Sequence, residues 1–243
     1  MENMNCDKNV LIEGCRKVGV ELSERQIEQF LIYYEHLVEK NKVMNLTGIT
    51  EYNEVVLKHF VDSLSLAQVL DLNKYDTLLD LGTGAGFPGL PLKIAFPHLN
   101  VVLMDSLNKR INFLNEVIEK IECENIEAVH ARAEEAARKK EYREQFDLCV
   151  SRAVANLSSL SEYCLPFVKK GGMFISYKSM EVDEEIKNSK KALSLLGGKL
   201  KEKKEFYLPD SDIGRSFVMI EKEKNTPARY PRKAGMPSKE PLS

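Results

Sequence analysis

The chain is predicted to be an α/β protein: a helical segment, then a mostly parallel seven-stranded sheet that closes on an antiparallel hairpin. Three observations predict it. Helical periodicity dominates the stretch before Thr77. Beyond Thr77, short apolar strand patterns alternate with helix-period segments, beginning at a glycine-rich loop. Near the end, two strand patterns follow one another with only a loop between them. Strand–helix alternation implies parallel strands with right-handed crossovers, and adjoining strands imply a hairpin.

Each element has its own warrant. Ser23-Glu24-Arg25-Gln26 fits a capping box, in which Ser23 and Gln26 each satisfy a free backbone amide. Ile27, Phe30, Leu31, Tyr34, Leu37 and Val38 then recur at helical spacing. Asn45-Leu46-Thr47-Gly48 breaks the pattern, and a further helix is expected from about Thr50 to Leu70. Strands are expected at Thr77–Leu81, Val101–Asp105, Ile126–His130, Phe146–Ser151, Met173–Tyr177, Lys199–Leu208 and Ser216–Glu221. Helices are expected at Pro88–Phe96, Lys109–Ile121, Leu157–Val168 and Glu181–Leu196, with a charged helix between the third and fourth strands and a turn at Lys169–Gly172. The expected organisation is a helical segment over 1–72 packed on the core, a catalytic domain over 73–223 and a basic tail over 224–243.

Composition narrows the function. With 243 residues, 43% hydrophobic and 30% charged, the chain has the balance of a soluble globular protein. Its apolar runs are too short to cross a bilayer, and the start lacks a secretion signal, so a cytoplasmic protein is expected. The five cysteines form no C-x-x-C pair and the four histidines do not cluster, so neither disulfides nor a metal are expected. The net charge of −2 gives no general attraction to nucleic acid. The tail differs: Lys222, Lys224, Arg229, Arg232, Lys233 and Lys239 stand against Glu223 alone, a plausible phosphate contact or a solvated, disordered end.

The chemistry begins at Asp80-Leu81-Gly82-Thr83-Gly84-Ala85-Gly86-Phe87-Pro88-Gly89. Glycines let the chain turn sharply and let a ligand approach the backbone, and the helix that follows offers unpaired amides. On the glycines alone two cofactors compete. Gly84 to Gly89 matches the dinucleotide fingerprint G-x-G-x-x-G, and Asp105 follows at the spacing of a ribose-binding acid, as in a NAD(P)-dependent oxidoreductase. Three features favour S-adenosylmethionine: the D-x-G-x-G-x-G pattern of class I methyltransferases begun by Asp80, the terminal hairpin, and the lack of chain for a second substrate domain. The fold expected is thus a Rossmann-like class I S-adenosylmethionine-dependent methyltransferase. Asp80 would help place the methionine ammonium, and Asp105 would accept from both ribose hydroxyls. The competing use of Asp105 is as a cap near Asn108. Ala133 and Glu134, after the third strand, would meet the adenine edge and its amino group.

Across nearly its whole length the chain resembles the ribosomal RNA small-subunit methyltransferase G family, also called glucose-inhibited division protein B. The resemblance rests on Asn45-Leu46-Thr47, His59-Phe60-Val61-Asp62-Ser63, the Gly82–Pro91 loop, Asp105-Ser106 with Lys109-Arg110, Ala133-Glu134, Ser151-Arg152-Ala153 and Arg229-Tyr230-Pro231-Arg232-Lys233-Ala234-Gly235, in that order. One departure is Tyr177-Lys178-Ser179, where the family pattern has Lys followed by Gly. The resemblance implies N7-methylation of one guanine in the 530-loop of bacterial 16S ribosomal RNA, with cofactor contacts at Gly82, Phe87, Ala133, Glu134 and Arg152. Gly84 and Gly86 complete the expected cofactor set.

Guanine N7 bears a lone pair and no proton, so no general base is needed and catalysis is by positioning, with Arg152 the candidate. The bland reading of Arg152 is an ion pair, with Glu134 as its partner. His59, Asp62 and Ser63 share one helical face and are candidates to border the substrate, as are Arg229, Tyr230, Arg232 and Lys233, where an aromatic ring lies between cations. The expected partner is small-subunit ribosomal RNA, within a subunit or an assembly intermediate, and the chain is expected to act as a monomer. A non-catalytic RNA-binding assembly factor is the remaining alternative. Calorimetry separates the cofactors: binding of S-adenosylmethionine with no binding of NAD(P) is expected, and the reverse overturns the methyltransferase reading.

Overall fold

The computed structural model describes residues 6–152 and 154–242. α1 (Lys8–Lys17) and α2 (Glu24–Met44) open the chain. α2 starts at the capping box, where Gln26 Oε1 accepts from the Ser23 amide at 2.8 Å and Ser23 Oγ accepts from the Gln26 amide at 3.4 Å. It ends at Asn45 in the left-handed region, φ 50°. The Asn41 side chain then accepts from the amides of Leu46 and Thr47 at 2.6 and 2.9 Å. The buried stripe of α2 includes Tyr33 and His36, which the sequence pattern did not select.

The helix expected over Thr50–Leu70 is broken. α3 (Tyr52–Val55) passes into a π-helical stretch, Val56–Val61, then α4 (Asp62–Leu64) and a 3-10 turn, Ser65–Gln68. Wide π turns occur mostly where function demands them. This one carries His59.

The sheet contains β1 (Thr77–Leu81), β2 (Asn100–Asp105), β3 (Ile126–His130), β4 (Phe146–Arg152), β5 (Val168–Lys178), β6 (Gly198–Tyr207) and β7 (Gly214–Lys222). Their spatial order is β3-β2-β1-β4-β5-β7-β6. β7 runs antiparallel to both β5 and β6, and the other neighbours pair in parallel. Dinucleotide-binding sheets keep six parallel strands in the order 3-2-1-4-5-6. The antiparallel β7 therefore separates this fold from theirs.

The crossovers are α5 (Gly89–Ala95), α6 (Asn108–Lys120), α7 (Ala133–Ala136), α8 (Leu157–Cys164) and α9 (Asp183–Leu196). Three expectations shift. The charged third crossover helix shrinks to α7. The helix expected to reach Val168 stops at Cys164, with a 3-10 turn over Leu165–Phe167. The expected turn at Lys169–Gly172 is absorbed into β5, where the register to β4 shifts between Phe146 and Leu148.

Side-chain alternation along the strands divides the core in two. Leu78, Leu148, Val150, Met173 and Ile175 face one cluster, which also holds Leu11, Phe30 and Phe60 from the N-terminal helices. Leu79, Cys149, Phe174 and Val218 face the other, beneath α8 and α9.

The chain beyond β7 joins this second cluster and ends in α10 (Met236–Lys239). Lys222, counted in the basic tail, is wholly buried: its ammonium donates to the carbonyls of Leu165 and Val168 and lies 3.1 Å from Glu144. Burial lowers its pKa to about 8. Arg143 holds the following segment, donating to the carbonyls of Thr226 and Tyr230 at 2.8 and 3.0 Å. Tyr230 is 6% exposed. Tyr230→Ala is expected to destabilise the chain by about 3 kcal/mol, the usual effect of truncating a buried aromatic. Denaturant unfolding checks this; a change near zero would mean the segment does not pack.

Candidate active site

The strand order reverses between β1 and β4, and ligands of open α/β sheets bind outside the carboxyl ends of strands at such a point. The glycine loop after β1 lies there, and Asp80 shapes it from below. Its Oδ2 accepts from Thr83 Oγ1 at 2.6 Å and from the Gly89 amide at 2.8 Å. A Cβ on Gly89 would stand 2.6 Å from Asp80 Cβ and 2.5 Å from Leu103 Cδ2, so only glycine lets α5 approach the sheet this closely. Tyr33 of α2 donates to the Ala85 carbonyl from the other side. Burial raises the Asp80 pKa to about 6, against the lowering effect of these donors.

Two cavities flank the loop. The first, about 430 Å³, is lined by Leu81, Gly82, Met104, Asp105, Ala133 and Glu134, with Arg110, Val154, Tyr163, Gly235 and Ser238 around them. That volume lies within the range of about 300–1,000 Å³ usual for small-molecule sites. Asp105 Oδ2 accepts from the Gly84 amide and from Arg110 Nη1, each at 3.0 Å, and Oδ1 accepts from the Leu107 amide at 2.9 Å. A carboxylate has about four acceptor positions, so one remains for a ribose hydroxyl, and Arg110 must share or yield for a second. Asp105 therefore braces the turn before α6 at Leu107, not the helix start itself, and keeps an acceptor position free. A Cβ on Gly84 would meet nothing within 4 Å, which leaves the outer side of the loop open. Asp105 at the end of β2, Gly82 without a side chain, and Leu81, Met104 and Ala133 beside them fit the ribose and base of S-adenosylmethionine.

The second cavity, about 450 Å³, is lined by Ile49, Lys58, His59, Asp62, Arg152, Tyr177, Lys178, Ser179 and Arg215. Asp62 is buried and bridges two guanidiniums, accepting from Arg152 Nη1 at 2.8 Å and from Arg215 Nε at 3.0 Å. Burial, and then Arg152, lower the His59 pKa to about 4, so its ring is neutral at neutral pH. The His59 ring lies 3.1 Å from the Lys58 carbonyl through Nδ1 and 2.8 Å from Thr47 Oγ1 through Nε2. The consistent tautomer carries the proton on Nδ1.

Phe87 of the loop packs against the second cavity's residues, stacked on His59 at 4.5 Å and on Tyr33 at 5.4 Å, with the Arg152 guanidinium 5.1 Å from its ring centre.

Of the expected cofactor residues, Gly82, Asp105, Ala133 and Glu134 line the first cavity. Asp80, Gly84, Gly86 and Phe87 do not: Asp80 is wholly buried beneath the loop, and Gly86 packs against Tyr33 and Leu114. The helix-start amide expected to face a ligand, Gly89, donates to Asp80 instead. Arg152 belongs to the second cavity, and its ion-pair partner is Asp62, not Glu134. Ala153 of the same motif lies outside the described residues.

His59 and Asp62 line the second cavity. Ser63 is buried, donating to the His59 carbonyl while its own carbonyl accepts from Tyr177. In the tail, Arg229 and Lys233 are exposed, with Arg229 stacked over Tyr230 at 5.0 Å. Tyr230 is buried and Arg232 is paired with Glu162, so neither is a free surface for stacking.

Sequence reasoning missed Arg215, Lys58, Arg110 and Ser238. Arg110 stood within a family motif and was assigned no contact. Arg215 opens β7 with no local pattern to mark it. Among the described residues no group of three His, Cys, Asp or Glu is placed to hold a metal ion, and no helix is long and apolar enough to cross a membrane.

A class I methyltransferase is the class that this sheet order, loop and paired cavities define. Two solved structures share the fold: the fibrillarin pre-rRNA processing protein of Methanococcus jannaschii, at TM-score 0.50 and 19% identity over 64% of this chain and 70% of that one, and TrmN from Thermus thermophilus, at 0.50 and 15% over 69% and 53%. The family model for rRNA small subunit methyltransferase G matches residues 26–213. The chain is 60% identical over 236 residues to the ribosomal RNA small subunit methyltransferase G of Lachnoclostridium phytofermentans, covering 97% of this chain and 98% of the relative. It is 52% identical to that of Alkaliphilus metalliredigens, covering 97% and 98%. The chain belongs to the rRNA small subunit methyltransferase G family, whose members are S-adenosylmethionine-dependent enzymes.

The buried Asp80 carboxyl makes stability depend on pH with a definite sign. Its folded pKa, about 6, lies above the ordinary 3.8, so its contribution is full below 3.8 and is lost as pH rises through 6. Asn at this position keeps an acceptor for Gly89 and a partner for Thr83 without the charge. Between pH 4.5 and 7.5, Asp80→Asn is expected to gain about 2 kcal/mol on the wild type. Urea unfolding at the two pH values reads this; an unchanged difference means Asp80 titrates normally.

Proposed function

We propose that this chain transfers the methyl group of S-adenosylmethionine to N7 of one guanine in the 530-loop of 16S ribosomal RNA. Its proposed setting is the cytoplasm, acting as a monomer on a small subunit or an assembly intermediate. The observation that carries the reading is the pair of cavities at the carboxyl ends of the strands: one, with Asp105 and Glu134 on its wall, suits adenosine, and the other is lined by Lys58, Arg152, Lys178 and Arg215. S-adenosylmethionine supplies a methyl group on a sulfonium, with a neutral sulfur as leaving group.

Everything asked of the protein is placement. In the second cavity Lys58, Lys178, Arg152 and Arg215 suit a nucleotide phosphate, and the His59 ring, stacked on Phe87, lies beside them. A neutral His59 with a pKa near 4 is a poor proton acceptor, and N7 attack requires none. Asp62 holds both guanidiniums in register, and loss of such positioning typically costs about 100-fold in rate.

Mass mapping of ribosomal RNA from cells with and without the protein tests the reading: one methyl group missing from a 530-loop guanine is expected, and unchanged RNA overturns it. Asp62→Asn is expected to slow methyl transfer to unmodified small subunits by about 100-fold with little change in S-adenosylmethionine affinity. Equal losses in rate and cofactor affinity would place Asp62 in the cofactor site instead.

A further inference from the structure

The chain that follows β7 lies beyond the residues matched by the family model, yet it reaches the first cavity. Gly235 and Ser238 line that cavity, and the Gly235 amide donates to Glu134 Oε1 at 2.8 Å. We infer that the segment from Arg229 to Lys239 is the adenine-side wall of the cofactor cavity, and that its Gly235 amide sets Glu134 to accept the exocyclic amino group of the ring. This rests on the reading of the cavity as an S-adenosylmethionine site.

The segment is fixed from behind by a wholly buried carboxylate. Glu162 on α8 accepts from the Arg232 backbone amide at 2.7 Å and from its guanidinium at 3.0 Å through Nε and 2.7 Å through Nη2. A buried pair of this kind adds little net stability and is best understood as fixing geometry. Further along, Ser159 Oγ donates to the Pro237 carbonyl at 2.6 Å, and the hydroxyls of Tyr163 and Ser238 share a hydrogen bond of 2.7 Å beside the cavity. The anchors therefore hold both sides of Gly235.

The consequence falls on Glu134. Gly235 takes one acceptor position of Oε1, so the other positions of the Glu134 carboxylate are left for a ligand, and a carboxylate accepts rather than donates. It thus favours a purine with an amino donor at position 6 and opposes one with a carbonyl there. Arg232 is a positioning residue: it touches no ligand and acts through Gly235 and Glu134.

Calorimetry with S-adenosylhomocysteine and S-inosylhomocysteine on the full chain tests this. The wild type is expected to prefer the adenosyl compound. Arg232→Ala is expected to bind it about tenfold more weakly, equivalent to about 1.4 kcal/mol, and to lose most of the preference. A purely structural role would lower the melting temperature and leave the preference intact, which overturns the inference.

Because Arg232→Ala strands Glu162 and can fail to fold, hydrogen exchange on the wild type provides the second measurement. S-adenosylhomocysteine is expected to slow exchange of the 235–239 amides. Binding without that protection overturns the inference alone. No binding at all overturns the cofactor reading, and the inference with it.

Discussion

One buried carboxylate organises the functional end of the sheet. Asp80 ends β1 beneath the glycine loop, and its Oδ2 ties Thr83 near the start of the loop to Gly89 at the start of α5. Removing a charge from water is costly, and the raised pKa of Asp80 measures part of that cost. The return is a loop whose path is set at both ends, with the Gly84 amide held on Asp105 and the Gly82 backbone on the cavity wall. The absence of a side chain at Gly89 lets the helix come close enough to make the second bond.

The N-terminal helices complete what the sheet begins. Tyr33 fixes the loop at Ala85, and Tyr33 and Phe60 pack around Phe87, with Phe30 against Phe60. The π-helical stretch then carries His59 onto the Phe87 ring and leads into Asp62, against Arg152 and Arg215. The helical segment is therefore a wall of the site and not only a cover for the core. Neutrality of His59 and pairing of Asp62 leave the second cavity cationic without an accessible base, which suits a nucleophile that has no proton to lose.

The opposite face has its own closing element. Residues after β7 carry few features that distinguish them from a solvated basic tail, and their charges suggest one. In the fold two of the charges are taken up, Lys222 at the end of β7 on carbonyls and Glu144, and Arg232 on the buried Glu162, while Arg229 and Lys233 stay exposed. Tyr230 contributes packing, and the segment ends beside Glu134.

The sequence by itself determined the seven strands, the hairpin, the glycine loop and the order of family motifs, because these are local matters of period, turn chemistry and spacing. It also singled out Gly82, Asp105, Ala133 and Glu134, which the fold brings to the wall of one cavity because they follow strands whose ends converge. Only the tertiary structure decided the rest. Whether a carboxylate binds a ligand or braces a loop depends on which donors the fold brings to it, so Asp80 and Asp105 look alike in sequence and differ in space. Arg152 could not be assigned a partner from its neighbours, since Asp62 lies 90 residues away along the chain. The tail could not be read as ordered, because its anchors, Arg143 before β4 and the buried Glu162 on α8, lie far away along the chain and no local pattern announces the pairing.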